Sequence, residues 1–323
     1  NIYSDELKNL FYFDIKNINQ EDFRKNFSSS VQKIYEYFFL KVLNKIKNIN
    51  FSKNLVFAGG CALNSTANNI LIKKDFSKNI FIPVAPGDNG GSLGAAFYVS
   101  KRIIKNNNFN NPYLGTAYNE NEIEDVIKKK YKYDVDYKKF KTKEDKFDTA
   151  TNIIINKGVI GWFQNKMEFG PRALGNRSIL ADPRNENVKE LINIKVKRRE
   201  NFRPFAPSVL SEKQDEWYEE KFYNRYMSAV MNIKSEKKNF VPGVVHVDNT
   251  SRVQTVDKNL NECFYNLIYV FYKKTSVPML LNTSFNENEP IVMKPENAID
   301  CFERTKMDTL VLENFLITRN EII

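Results

Sequence analysis

Over residues 21–49 the apolar positions Phe27, Val31, Ile34, Phe38, Leu40, Val42 and Ile46 recur at near-helical spacing, which predicts an amphipathic helix ending in a polar, Asn-rich break. The pattern then changes. Residues 54–58 (NLVFA) form a short apolar run that enters Gly59-Gly60, and CALNSTANNIL after it reads as a helix. A strand, a glycine turn and a helix in that order can cradle phosphate, because the helix N-terminus presents unpaired N–H groups. A second unit follows, with residues 79–85 (NIFIPVA) entering the turn at 86–91 and the small-residue helix SLGAAFYVS. This alternation predicts an α/β sheet with ligands at the carboxyl ends of its strands.

Residues 105–112 (KNNNFNNP) combine Asn clustering, lack of periodicity and a terminal proline, and mark the expected linker. Beyond it, helices are predicted over 120–130 and 149–156. Strands are predicted over 158–163, 209–210, 241–247, 277–281 and 309–312. The length, 323 residues, suits about two domains.

Composition narrows the classes. A hydrophobic fraction of 42% with 25 Phe and 16 Tyr argues for a folded chain. No apolar run reaches the roughly 18–20 residues needed to cross a bilayer, and the first residues lack a signal peptide pattern, so a cytosolic protein without membrane partner is expected. Three cysteines fit neither a zinc site nor a disulfide framework. The single histidine, His246, excludes a metal site built from two histidines of this sequence.

Charge points to a ligand. The net charge is +10, and residues 166–203 hold ten basic side chains against five acidic ones. Such a concentration suits an anion, either nucleic acid or small phosphates. Within it, MEFGPRALGNRSILADPR sets Arg172, Arg177 and Arg184 after a glycine-proline corner, and guanidinium groups bind phosphate oxygens bidentately. KVKRRENFRPFAPS adds five basic residues beside the rigid Pro204 and Pro207. Further elements are HVDNTSR, ending in Arg252, and the amide- and hydroxyl-rich loop LNTSFN.

Taken together, GWFQNKMEFGPRALGNRSILADPR, KVKRRENFRPFAPSVL, HVDNTSRVQTV and LLNTSFNENEPIV resemble, in order and spacing, the carboxy-terminal YrdC-like domain of the O-carbamoyltransferases. NLVFAGGCALNSTAN and PVAPGDNGGSLGAAFYV resemble the second half of that family's actin-like transfer domain, so the likeness runs from about residue 27 to residue 316. The resemblance implies an α/β fold: a partial actin-like (ASKHA) half-domain over 1–110, then a YrdC-like α/β domain over 111–323. It implies that carbamoyl phosphate and ATP give a carbamoyl-adenylate, whose carbamoyl group passes to a hydroxyl of a small molecule or glycan.

By the same resemblance Arg172, Lys197, Arg203 and Arg252 would neutralise carbamoyl phosphate and the ATP phosphates, and Ser284 and Asn286 would complete the nucleotide pocket. Gly59, Gly60 and Asn64 would hold nucleotide in the actin-like part, and Asp88 would ligate a divalent metal, Mg or Fe. Full-length members begin with an actin-like half that carries a pair of metal-binding histidines. Fewer than 60 residues precede Gly59 here, so that half is expected to be supplied elsewhere, in cis or in trans, and a homodimer is a further expectation. Competing readings are a tRNA-modifying or RNA-binding protein, and a non-catalytic nucleotide-binding module. The motif order favours the metabolite branch over a nucleic-acid partner.

Overall fold

The computed structural model describes residues 20–49, 52–74, 76–100, 111–131 and 137–319. The chain forms two compact units, residues 1–53 and residues 54–323. The expected linker at 105–112 lies, apart from Asn111 and Pro112, outside the described residues.

In the first unit the predicted helix is present as α1 (Gln20–Ile49), with Glu21 and Asp22 in its first turn and Lys47 in its last, as the helix dipole favours. Its apolar positions Val31, Ile34, Phe38, Val42 and Ile46 are all exposed.

The second unit opens with β1 (Asn54–Val56), paired in parallel with β2 (Asn79–Phe81) across the intervening helix α2 (Ser65–Lys73). Helix α3 (Asn89–Ser100) follows and buries no residue. After α4 (Glu120–Lys130) an eight-stranded sheet is laid down. Its strands are β3 (Tyr137–Lys139), β4 (Ile160–Phe163), β5 (Arg177–Ala181), β6 (Ala206–Leu210), β9 (Gln254–Val256), β10 (Met279–Ser284), β11 (Thr309–Leu312) and β12 (Phe315–Thr318). Their order is β3-β12-β11-β4-β5-β10-β6-β9, antiparallel except for the parallel pairs β11/β4 and β6/β9. A two-stranded ribbon, β7 (Met231–Asn232) with β8 (Thr250–Ser251), stands apart.

The central strands β4, β5, β6 and β11 are buried throughout, which is why β4 (IGWF) and β11 (TLVL) read as nearly continuous apolar runs, while β5 and β6 carry buried Arg177, Ser178 and Ser208. Helices α5 (Lys143–Ile155), α6 (Glu262–Thr275) and α7 (Pro295–Arg304) cover the sheet, with Trp162, Phe163, Phe264, Phe271 and Phe285 fully buried in one core. A smaller core joins Val84 and Ala85 to Leu174, Ala206, Tyr226 and Met227, tying the turn after β2 to the large sheet. Residues 241–247 are a correction: a 3-10 turn (Pro242–Val244) replaces the expected strand, because Pro242 lacks an N–H for a ladder. Among the described residues no helix is long and apolar enough to cross a membrane.

Candidate anion-binding site

Three pieces of chain build the site. The first is the loop 168–177. One carboxylate oxygen, Glu168 Oε1, accepts hydrogen bonds from the backbone N–H groups of Leu174, Asn176 and Arg177 at 2.7, 2.8 and 3.2 Å. Gly170 (φ +121°) permits the corner, since a Cβ there would lie 2.6 Å from the Val84 carbonyl oxygen. Arg172 stands at the middle of this loop, and among the described residues its guanidinium has neither hydrogen bond nor ion pair; burial pulls its pKa below the ordinary value.

Its motif neighbours serve the fold. Arg177 is fully buried, donates to the carbonyls of Gln164, Asn176, Thr116 and Asn165, and stacks 3.5 Å from the Phe163 ring. Arg184 pairs with Asp182 at 2.6 Å.

The second piece is the short link between β8 and β9. Ser251 and Val253 are buried, so the alternating chain turns Arg252 to the other side. Arg252 Nε is sealed from water without a partner, and the group is pulled down to about 9 by burial, then by Arg172 and Arg199. His246, four residues before Thr250, contacts Thr250 Oγ1 through Nδ1 at 3.1 Å. Burial lowers it to about 4, helped by Arg252 and Lys189 and opposed by Asp248, so it is neutral at physiological pH.

The third piece is the loop leaving β10. Phe285 is fully buried and fixes the loop to the core, a burial worth about 1.5–3 kcal/mol. Ser284 and Asn286, on either side of it, face the other way and meet Lys197. Lys197, only 2% exposed, donates to the Ser284 carbonyl, to Ser284 Oγ at 3.2 Å, and to Asn286 O and Oδ1 at 2.8 and 2.7 Å. All four are neutral oxygens. Burial, with Arg199 adding, brings the ammonium down to about 7.

These pieces enclose two adjoining hollows. One, of about 620 Å³, is lined by Arg172, Arg203 and Arg252 together with Lys189, Arg199 and His246, and by Ser65 and Thr66 from the start of α2. The other, of about 590 Å³, is lined by Lys197, Ser284 and Asn286. Arg199 and Arg203 form a wall common to both. Arg203 is tied to Glu200 at 2.9 Å, Arg199 Nε to the neutral Asn193 Oδ1 at 2.7 Å and Lys189 Nζ to the Val245 carbonyl at 2.5 Å, which leaves Arg172 and Arg252 as the cations of this hollow without any hydrogen-bond partner among the described residues. Half-buried cations without partners are unfavourable by themselves, and an arrangement of this kind is complementary to phosphate oxygens.

Lys189, Ser65 and Thr66 were not singled out by sequence reasoning, while Arg199, within KVKRRENFRPFAPS, and His246, at the head of HVDNTSR, were noted but not assigned to the site. Gly59 (φ +96°) needs glycine for its backbone, whereas a Cβ on Gly60 would meet nothing within 4 Å. Asn64 caps α2, its Oδ1 accepting from the Ala67 N–H at 3.1 Å. Asp88 is exposed just before α3, and among the described residues no group of three or more His, Cys, Asp or Glu could hold a metal.

Residues 151–319 match the family described as Carbamoyltransferase C-terminus, and residues 2–97 match Carbamoyltransferase N-terminus. An uncharacterized protein of Synechocystis is 39% identical over 323 residues, covering 90% of this chain and 52% of its own length. Nodulation protein NolNO of Sinorhizobium fredii is 38% identical over 302 residues, covering 91% of this chain and 44% of its own. The chain thus spans about half the length of the curated relatives it matches. Among solved structures, full-length HypF in its phosphate- and nucleotide-bound form is similar at 15% identity and a TM-score of 0.39, over 53% of this chain and 25% of that one. With 37–38% identity to nodulation proteins over about nine-tenths of its length and both family segments matched in order, this chain belongs to the carbamoyltransferase family.

Proposed function

We propose that this chain carries the adenylate-forming site of an ATP-dependent O-carbamoyltransferase. The observation that supports it most is the pair Arg172 and Arg252, two half-buried guanidinium groups that, among the described residues, make no hydrogen bond or ion pair and line one hollow. Phosphorus balance fixes the products: carbamoyl phosphate and ATP bring four phosphorus atoms, carbamoyl-adenylate keeps one, and phosphate and pyrophosphate carry the rest. Water first cleaves carbamoyl phosphate to carbamate and phosphate, and a carbamate oxygen then bonds to the α-phosphorus as the bond to pyrophosphate breaks. Arg172, Arg203 and Arg252 hold the phosphate oxygens where charge builds, and Lys197 with Ser284 and Asn286 shapes the neighbouring nucleotide pocket. In the second step a hydroxyl of a small molecule or glycan attacks the carbamoyl carbon, and AMP leaves.

That transfer belongs to an actin-like half-domain formed by the first third of the chain, with Gly59, Gly60 and Asn64 toward nucleotide. Helix α3 buries no residue and exposes Tyr98 and Val99, and Val56 on β1 is 70% exposed. The occupant of this face in our reading is the rest of the family's actin-like domain, consistent with relatives about twice as long. Should Asp88 ligate a divalent ion, the described residues supply no group of three or more His, Cys, Asp or Glu to complete its shell.

The test is pyrophosphate release from ATP and carbamoyl phosphate, with a divalent ion supplied. The wild-type chain should release it, and Arg172→Ala and Arg252→Ala should each lower the rate by about 10²–10³-fold while circular dichroism stays unchanged. No release from folded wild type would remove the assignment.

A further inference from the structure

The Arg172 guanidinium contacts no acceptor among the described residues, so nothing at its own tip sets its direction; the backbone of the loop 168–177 does. One atom gathers three of the bonds that close that loop. Glu168 Oε1 receives three N–H groups, from Leu174, Asn176 and Arg177, and so ties the first residue of the loop to its last turn. A neutral carbonyl oxygen has two lone pairs and a partial charge, whereas a carboxylate oxygen can hold three such donors at full strength. Tyr113 and Gln254 donate to the Leu174 carbonyl at 2.9 and 2.8 Å, Asn282 to the Ala173 carbonyl at 3.3 Å, Asn261 to Asn176 Oδ1 at 2.9 Å, and the Gly175 N–H to Ser178 Oγ at 3.0 Å. Asn176 Nδ2 and the Arg177 guanidinium reach back to the Lys166 and Gln164 carbonyls at 2.7 and 2.8 Å, so they brace the end of the loop against the chain before it, whereas Glu168 gathers three N–H groups of the loop on one carboxylate oxygen. Glu168 itself is 6% exposed and does not line either hollow, so it cannot touch an anion there.

We propose that Glu168 is a positioning residue, whose carboxylate fixes the loop so that Arg172 is presented to the anion in the larger hollow. The proposal rests on the reading of that hollow as a phosphate site, and it makes the negative charge of Glu168 work for an anion it never meets. Substituting the near-isosteric amide keeps the shape but weakens at least one of the three bonds. Arg172 then samples other directions, and the anion loses part of its contact with it.

The test is a double-mutant cycle on the full chain, with inorganic pyrophosphate as the probe and binding followed by calorimetry. Arg172→Ala should weaken binding by about tenfold or more, the loss of one charge-assisted contact. Glu168→Gln should weaken it by about threefold to tenfold, with the melting temperature recorded separately. The deciding result is the double variant. If Glu168 acts through Arg172, E168Q adds no further loss of affinity in the Arg172→Ala background. A purely structural role would lower stability in both backgrounds and leave the two affinity losses additive, which overturns the proposal. Equal affinity of E168Q and wild type also overturns it while leaving the phosphate site intact, whereas wild type that binds no pyrophosphate overturns both. Should E168Q not fold, Glu168→Asp, which keeps the charge but withdraws it from the three N–H groups, is carried through the same cycle with the same expected non-additivity.

Discussion

Replacing Arg252 by Met should make the empty protein more stable. The guanidinium is half-buried with its Nε sealed and without a partner, and Arg172 and Arg199 repel it, so its pKa falls from the ordinary arginine range to about 9. A base whose folded value is depressed lowers stability fully at every pH below that value, and the penalty is relieved only as pH rises above about 9 toward the ordinary arginine range. At 1.36 kcal/mol per pH unit the penalty near neutral pH is on the order of 4–5 kcal/mol as an upper bound. Met keeps much of the stem but fills the site incompletely, and buried-charge replacements commonly gain 1–4 kcal/mol, so a net gain of about 1–3 kcal/mol is expected. Urea unfolding near neutral pH, with and without inorganic pyrophosphate, reads this out. Wild type should gain about 2.7 kcal/mol at a hundredfold excess of ligand over Kd, and Arg252→Met should lose most of that shift. An empty variant less stable than wild type, or one that keeps the whole ligand shift, would refute the reasoning.

Arg177→Met should have the opposite sign and destabilise by about 3–5 kcal/mol, seen in the urea midpoint, because it strips partners from buried carbonyls and removes the stack on Phe163. Anion affinity measured by calorimetry should fall as pH rises through about 7, where Lys197 loses its proton, and Lys197→Met should flatten that dependence. The same group acts oppositely on the empty protein: its penalty is complete below about 7 and is relieved between 7 and 10.5. Gly170→Ala should cost more than about 2 kcal/mol in a thermal melt, since it combines an unfavourable φ with a clash against the Val84 carbonyl. His246 contributes stability that is present above its ordinary 6.5 and lost as pH falls toward about 4, a slope that His246→Asn should remove from urea midpoints taken across that range.

Much of this architecture was legible in the sequence. The periodic stretches became α1 and α4 nearly to the residue, because helical spacing of apolar positions is a signal carried within the segment itself. The run GVVHV did not become a strand. Of its valines Val244 is fully buried against the large core while Val247 is exposed, a tertiary arrangement that an apolar run does not distinguish from a strand. Strand β5 was hidden inside a stretch read for its arginines. For the same reason Arg172 and Arg177 were inseparable: five positions apart in one motif, one is sealed beneath Phe163 and the other is left without a partner, and only the fold says which. Of the cluster of candidates, Arg172, Arg203 and Arg252 came together in one hollow and Lys197, Ser284 and Asn286 in the next.

The wall of Arg199 and Arg203 between the two hollows gives the site a built-in arithmetic. Two separate small anions, one on each side, would divide the attraction of the same two guanidinium groups, so each should bind more weakly once the other is seated. One elongated anion reaching past the wall draws on both sides and feels no such rivalry. Titration with phosphate alone should therefore look anticooperative, and a polyphosphate should displace both occupants at once.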